Sequence, residues 1–378
     1  MNNIVSKQLA IEKAKVLKAL IELNKISKII GTFIPIFKDK TILKNDKVYL
    51  HGNFNLGGTI SGRLSSSNPN MQQIPSSGSI YAKPIKKCFS APNGWLLCSA
   101  DFNALEAKIN ALLTKDPNKI KVYSDGFDSH SFNTYVYWKD KFPNLDPNKP
   151  KDINSIAASN KTDRQNSKAV TFALQFFGTY RTLMNNSGFS EEEAKQIVSN
   201  YEDAYKVSMD WVNDKLKQAA KDGYATGAFG LRIRTPIMKQ VIWGSRKMPY
   251  EAAAESRTAG NAISGQSYGL LTNRAQNEFL ARVATSKYRL DIQPIAAIHD
   301  ALYFLVKEDA ETVKFLNDNL IECMEWQADP AIDHPIVKLG AELCIHYPTW
   351  ADEISIPNKA SLDQIKEKLN ENIPSCVA

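Results

Sequence analysis

The stretch IAAIHDALYFLV, residues 295–306, decides the reading of the fold. Two apolar runs flank His299 and Asp300, so the segment reads as strand, tight turn, strand, with an acid at the turn. A second apolar run, WLLCSA at 95–100, also ends on an acid, Asp101. Taken singly, a carboxylate at the end of a buried strand is an ordinary turn former or helix cap. Were the two strands neighbours, both carboxylates would reach one edge of a sheet. Close carboxylates repel unless a cation lies between them. Hard Mg²⁺ suits that place, because it takes one or two carboxylates together with substrate phosphates. Two such ions roughly 3.5–4 Å apart can activate an attacking oxygen and stabilise a leaving one.

Around these strands the chain alternates helix and loop. LEAKINALL (105–113) has helical periodicity, residues 163–177 read as a helix, and Ser190 with Glu193 forms a capping box for a helix over 191–221. Residues 250–288 are helical again. Residues 4–30 form an amphipathic helix with Leu9, Val16, Leu20 and Leu23 on one side. GNFNLGGTISG (52–62) and SSSNPN (65–70) are loops and turns, and NLDPNKPKD (144–152) is a turn-rich linker. The order lacks βαβ regularity, so α+β is preferred over a doubly wound α/β fold. The chain holds no internal repeat, no GxxxxGK[ST], no HExxH and no zinc-type spacing.

Composition narrows the class. Of 378 residues, 43% are apolar and 23% charged, which suits a globular protein and excludes disorder of the whole chain. No apolar run reaches about 18 residues, so a spanning helix is not expected. The N-terminus MNNIVSKQLAIEK lacks a signal-peptide core. Cysteines 88, 98, 323, 344 and 376 make no CxxC pair, and their odd number points to a reducing cytoplasm. The net charge is +7, and residues 1–50 carry ten lysines against four acids. That basic arm invites a polyanion such as nucleic acid, or is a solvated helix face.

Three further segments bear chemistry. In RQNSKAVTFALQFFG (164–178), Arg164, Lys168 and Phe172 share one helical face. Two cations one turn apart suit a triphosphate, and the aromatic one turn on can stack under a base or sugar. The same pattern also describes a surface cation pair leading into a core Phe. In SGRLSSSNPNMQQIP (61–75), Arg63 precedes three serines, a donor-rich segment suited to a sugar–phosphate backbone or to an ordinary polar loop. His130, in GFDSHSF, is weak evidence alone.

In this order the segments resemble the polymerase region of family A DNA polymerases, of the bacterial DNA polymerase I and bacteriophage type. SGRLSSSNPNMQQIP resembles TGRLSSxxPNLQNIP, ADFNALEAKI resembles motif A (DYSQIELR), RQNSKAVTFALQFFG resembles motif B (RxxxKxxxFxxxYG), and IHDAL resembles motif C (VHDE). GFDSH, GLRIRTP and ESRTAGNAISGQS echo the family's GxDIH, GRRRxxP and ERxAxNxPxQG. The match runs from about residue 45 to about residue 352. It implies a template-directed DNA polymerase that adds deoxynucleotides to a primer 3′-hydroxyl by two-metal phosphoryl transfer in DNA replication. Asp101 and Asp300 would hold two Mg²⁺ ions, with Mn²⁺ as a substitute, and the Phe102 carbonyl would complete the metal shell. Lys168 would contact the triphosphate and protonate pyrophosphate, with Arg164 and His130 also on phosphates. Phe172 would lie beside the incoming sugar, and a Phe here implies poor acceptance of dideoxynucleotides. Glu106 would block a 2′-hydroxyl. Arg63 and Gln266, with Asn261 nearby, would lie on DNA near the primer terminus, and His299 at the primer end. Phe176 or Phe177 would replace the motif B tyrosine as a platform for the template base. The partners implied are primer-template DNA and deoxynucleoside triphosphates, with no membrane.

Departures from the family pattern are also plain. Ala301 stands where motif C usually has Glu, Lys108 replaces the motif A Arg, and motif B carries an extra residue in Phe176-Phe177-Gly178. The resemblance implies a right-hand α+β fold with an antiparallel palm sheet and helical fingers. Residues 1–50 would be a basic helical thumb remnant, 51–115 and 245–378 the palm, and 116–244 the fingers. The family normally carries a long helical thumb and an exonuclease-like domain before the GRLSS segment, and with only about 50 residues there the chain is expected not to proofread. A separate chain would supply the thumb or an exonuclease, or a processivity factor would join it. The expected setting is a bacteriophage-type replicon in bacterial cytoplasm. A single-subunit RNA polymerase-like enzyme and a catalytically inactive DNA-binding subunit are the competing readings. Glu106, Phe172 and GRLSSS speak against the first, and the joint presence of Asp101, Asp300, Arg164 and Lys168 speaks against the second.

Overall fold

Alternation in WLLCSADF makes residues 95–102 a strand with two unlike faces. Leu96, Cys98, Ala100 and Phe102 enter the core, while Ser99 and Asp101 lie on the opposite face. The structure, a computed structural model, describes residues 2–75, 79–245 and 248–374, with side chains from residue 11 onward. The Leu9 side chain and Cys376 lie outside the described residues.

Trp95–Phe102 is the middle strand of a five-stranded sheet in the order Glu353–Ile356, Ala341–His346, Trp95–Phe102, Ala301–Lys307, Ile292–Ile298. Every pair in it is antiparallel. The last two strands are the hairpin read from residues 295–306. Their register shifts between Pro294 and Ala296, where proline has no N–H to offer the ladder.

One face of the sheet is covered by helices Leu105–Thr114, Leu270–Ala284, Ala310–Met324 and Leu362–Asn372, whose apolar residues join Leu302, Phe304, Val306 and Leu343 in the main core. Phe279 and Phe304 meet edge to face with centroids 5.2 Å apart. Each fully buried Leu, Val or Phe here contributes about 1.5–3 kcal/mol. The other sheet face stays open around Asp101 and Glu342, both exposed. This is an α+β architecture, as the sequence implies.

Between the sheet strands lies a mainly helical region. Lys161–Gln175 packs on Ser129–Tyr137, and Val170, Leu174, Leu183, Ile197 and Tyr201 close a separate apolar cluster. Another cluster joins Lys206–Asp222 to Tyr250–Ile263, across the expected boundary at residue 244.

Several local expectations need correction. The helix expected over 191–221 is two helices, Glu191–Ala204 and Lys206–Asp222, broken at Tyr205. Buried Asp116 accepts the Ser208 backbone N–H at 3.0 Å and so caps the second helix from another part of the chain. Ser190 does cap the first, accepting the Glu193 N–H at 3.2 Å. Residues 250–288 divide into Tyr250–Ile263, a 3₁₀ turn Gln266–Gly269 and Leu270–Ala284. Gly265, at φ 153°, makes the break, and a Cβ there would meet the Glu106 carbonyl oxygen at 3.0 Å. Ser65–Ser67 is a short strand paired with Asn53–Asn55 rather than loop, and Pro150 opens a one-turn helix inside the expected linker. The N-terminal helix spans Asn2–Lys28, and Val16, Leu20 and Leu23 on it are exposed. No helix among the described residues is long and apolar enough to cross a membrane.

Candidate active site

Strand register brings the two aspartates together. Asp101 pairs with Ala301 on one side and with Glu342 on the other. Ile298 pairs with Ala301, so His299 and Asp300 form the two-residue turn at the same end of the sheet. His299 takes φ 55°, a left-handed conformation that closes this turn. Burial pushes the Asp101 carboxyl up to about 6, and Asp300 adds to the rise. The Phe102 backbone opposes it, while Glu353 and Glu342 add smaller pushes in the same direction. Asp101 thus lies open to solvent on one side with protein packed behind it.

A cation already stands beside this pair. Arg63 Nη2 lies 2.9 Å from Asp300 Oδ1 and 2.7 Å from Glu106 Oε1. Burial disfavours the guanidinium charge, but Asp300 and Glu106 outweigh that and raise its pKa. The segment carrying Arg63 is anchored to the hairpin, where Gln72 Nε2 donates to the Ala297 carbonyl at 3.2 Å. Glu106 sits in the first turn of Leu105–Thr114, next to the end of the Asp101 strand.

The second cationic group lies on the helices between the strands. Lys168 is half-buried and has no ion-pair partner among the described residues. Arg164 grips Asp128 with Nε to Oδ2 at 2.7 Å and Nη2 to Oδ1 at 2.8 Å. Burial would raise the Asp128 carboxyl, but Arg164 and the Ser131 hydroxyl and N–H hold it well below the usual range. Two of the five guanidinium N–H groups are used in this fork. His130 follows Asp128 on the same turn, and Ser167 Oγ donates to its carbonyl at 3.0 Å. Burial lowers the His130 imidazole pKa, Lys168 and Arg164 lower it further, and Asp128 opposes them. Arg164 and Lys168 therefore supply the positive charge of this group, and His130 joins them as a neutral imidazole.

The aromatic candidates separate. Phe172 is 53% exposed and stacks on Phe176, with centroids 6.2 Å apart and planes 23° apart. Phe177 takes φ 62° and turns into the cluster beneath, against Gly260. Gln266 and Asn261 are half-buried on either side of the Gly265 break, and the Asn261 Oδ1 is buried without a hydrogen-bond partner among the described residues.

Two residues escaped the sequence reading. Asp128 holds Arg164, and its place just before Ser129–Tyr137, where it also accepts the Ser131 N–H, was the available signal. Glu342 faces Asp101 across the ladder, and the alternation in AELCIH places it on the polar side.

The chemistry of the site fits a divalent ion. Asp101 and Asp300 offer hard oxygens at one end of the sheet and repel each other, and Asp300 already holds a cation in Arg63. No cluster of three or more His, Cys, Asp or Glu residues suited to a metal occurs among the described residues, so the fit rests on these two carboxylates.

The model of DNA polymerase family A matches residues 1–343. The thermostable DNA polymerase I of Thermus filiformis is 28% identical over 279 residues, covering 72% of this chain and 30% of that protein. That of Thermus aquaticus is 25% identical over 312 residues, covering 82% and 34%. DNA polymerase I of Bacillus subtilis is 24% identical over 343 residues, covering 90% and 35%. The chain thus spans about a third of the length of these curated relatives. Among solved structures, the POL domain of Pol1 from M. smegmatis, in complex with DNA primer-template and dNTP, aligns with TM-score 0.64 and 25% identity, over 82% of this chain and 49% of that one.

Proposed function

The chain belongs to DNA polymerase family A, and from that premise we propose that it is a template-directed DNA polymerase that extends a primer 3′-hydroxyl with deoxynucleoside triphosphates. The observation that carries the reading is the meeting of Asp101 and Asp300 at one end of the antiparallel sheet, with Arg63 against Asp300. The complex of the mycobacterial neighbour with primer-template and dNTP supports the choice of substrates.

In this reading the palm is 51–115 with 245–378 and the fingers are 116–244. Asp101 and Asp300, with the Phe102 carbonyl, would hold two Mg²⁺ ions. Bound there, divalent ions supply charge neutralisation for the attacking 3′-oxygen and the departing pyrophosphate. The protein's own part is positioning and electrostatics. Lys168, without an ion-pair partner among the described residues, orients the triphosphate and gives a proton to the leaving pyrophosphate. Arg164 has three N–H groups left for phosphate while Asp128 fixes its plane. His130 adds a hydrogen bond to the same phosphates. Exposed Phe172, backed by Phe176, packs on the sugar. Phe176, stacked on Phe172, is then the aromatic left to serve as platform for the template base, since Phe177 is packed against Gly260. Glu106 excludes a 2′-hydroxyl. Arg63, Gln266 and His299 meet the primer terminus, and the template strand supplies the sequence information.

Extension of a labelled primer on a DNA template in Mg²⁺ tests the proposal. Stepwise addition of dNTPs, lost in D101N and D300N, is expected. Absence of any extension in Mg²⁺ or Mn²⁺, with DNA binding retained, would favour a non-catalytic DNA-binding subunit.

A further inference from the structure

Arg63 joins two carboxylates to which the polymerase reading gives separate tasks. Its Nη2 reaches Glu106 at 2.7 Å and Asp300 at 2.9 Å, and all three side chains are mostly shielded from solvent. Its path is set by Gly269, where a Cβ would lie 2.7 Å from both Cγ and Nε of Arg63. Its Nε is buried without a hydrogen-bond partner among the described residues. Packing against Gly269 thus places the stem, and the two ion pairs hold the guanidinium tip. A charge held in this way follows its counter-charges: neutralise one carboxylate, and the other takes the whole interaction.

Resting on the polymerase reading, we propose that Arg63 is a positioning residue that couples metal loading to sugar selection. In the ligand-free protein it serves as counter-ion to Asp300 and shares itself with Glu106. When a divalent ion takes Asp300, Arg63 passes wholly to Glu106 and fixes the carboxylate that reads the incoming sugar. The gate at Glu106 is thus fully set only in a metal-loaded site. Conversely, Glu106 favours metal binding from a distance, by drawing the competing guanidinium away from Asp300.

The test is Mn²⁺ binding to the full chain without DNA or nucleotide, followed by the electron paramagnetic resonance signal of free Mn²⁺. R63Q removes the competing cation and is expected to tighten Mn²⁺ binding about three- to tenfold. E106Q leaves Arg63 to Asp300 alone and is expected to weaken binding about threefold. The decisive quantity is the cycle: the E106Q effect should disappear in the R63Q background. A simple long-range charge effect of Glu106 would persist there, and equal E106Q effects in both backgrounds would overturn the coupling. R63M serves as a second uncharged variant should R63Q fail to fold. D300N separates the two levels of the account. If D300N abolishes Mn²⁺ binding while the cycle shows no coupling, the metal reading stands and this inference fails. If D300N leaves binding untouched, the metal reading fails and takes the inference with it.

Discussion

Acidification should weaken the protein through one buried imidazole beside the strand that carries Asp101. His346 is 4% exposed. Its Nε2 lies 2.8 Å from Ser99 Oγ, two residues before Asp101, and its ring stacks on Tyr303 with centroids 6.3 Å apart. Burial, with a smaller push from Lys86 and against the opposing Trp350 backbone, holds its pKa at about 4. An unfolded histidine titrates near 6.5. The depressed folded value means that this contribution to stability is complete above pH 6.5 and is lost as pH falls toward 4. At 1.36 kcal/mol per pKa unit the loss is about 3 kcal/mol, a large share of a typical folding free energy. Urea unfolding of the wild type and H346Q at steps from pH 7.5 to 4 measures it. H346Q keeps a polar side chain near Ser99 but cannot titrate. The wild type should lose about 3 kcal/mol more than H346Q across that window, with no divergence above pH 6.5. Parallel stability curves would refute the reasoning, because other acid-sensitive groups act equally on both proteins.

Three more outcomes are expected. Removing the Glu106 carboxylate in E106A should raise the kcat/KM for ribonucleotides relative to deoxynucleotides by about 10–200-fold, and an unchanged ratio in primer extension would deny Glu106 the sugar-reading role. K168A should lose about 10²–10³-fold in kcat/KM for dNTPs while the Kd for primer-template moves only a few-fold, as fluorescence anisotropy would record. G260A places a Cβ 2.5 Å from the Phe177 ring, so thermal unfolding should show a loss of about 1–3 kcal/mol, relieved when Phe177 is also shortened in F177L.

The elements that carry the aspartates were legible because their signal is local. A short apolar run ending at an acid marks a strand and its end, and both Trp95–Phe102 and the hairpin at Ile292–Lys307 follow it. Their adjacency was not legible, since it depends on pairing between Asp101 and Ala301, 200 positions apart. The same limit explains the misread helices. Tyr205 lies in a stretch of good helical periodicity, and the break there depends on Asp116 reaching Ser208. Gly265 was visible, but its role in seating the backbone of Glu106 was not. Arg63 was read as a donor toward DNA, and its carboxylate partners, which come from distant segments, were not legible. Arg164 was read as a phosphate ligand, and its hold by Asp128, two residues before His130, was not legible. Helical periodicity alone also did not reveal that Val16, Leu20 and Leu23 stay exposed on the N-terminal helix.

The central claim is that Asp101 and Asp300 act as one site. Primer extension with Mg²⁺ and dNTPs, run beside DNA-binding measurements on the same samples, tests it most directly. The wild type should extend the primer, and D101N and D300N should each lose about 10³-fold or more in rate while binding primer-template within a few-fold of the wild type. Either variant extending at near the wild-type rate would contradict the account.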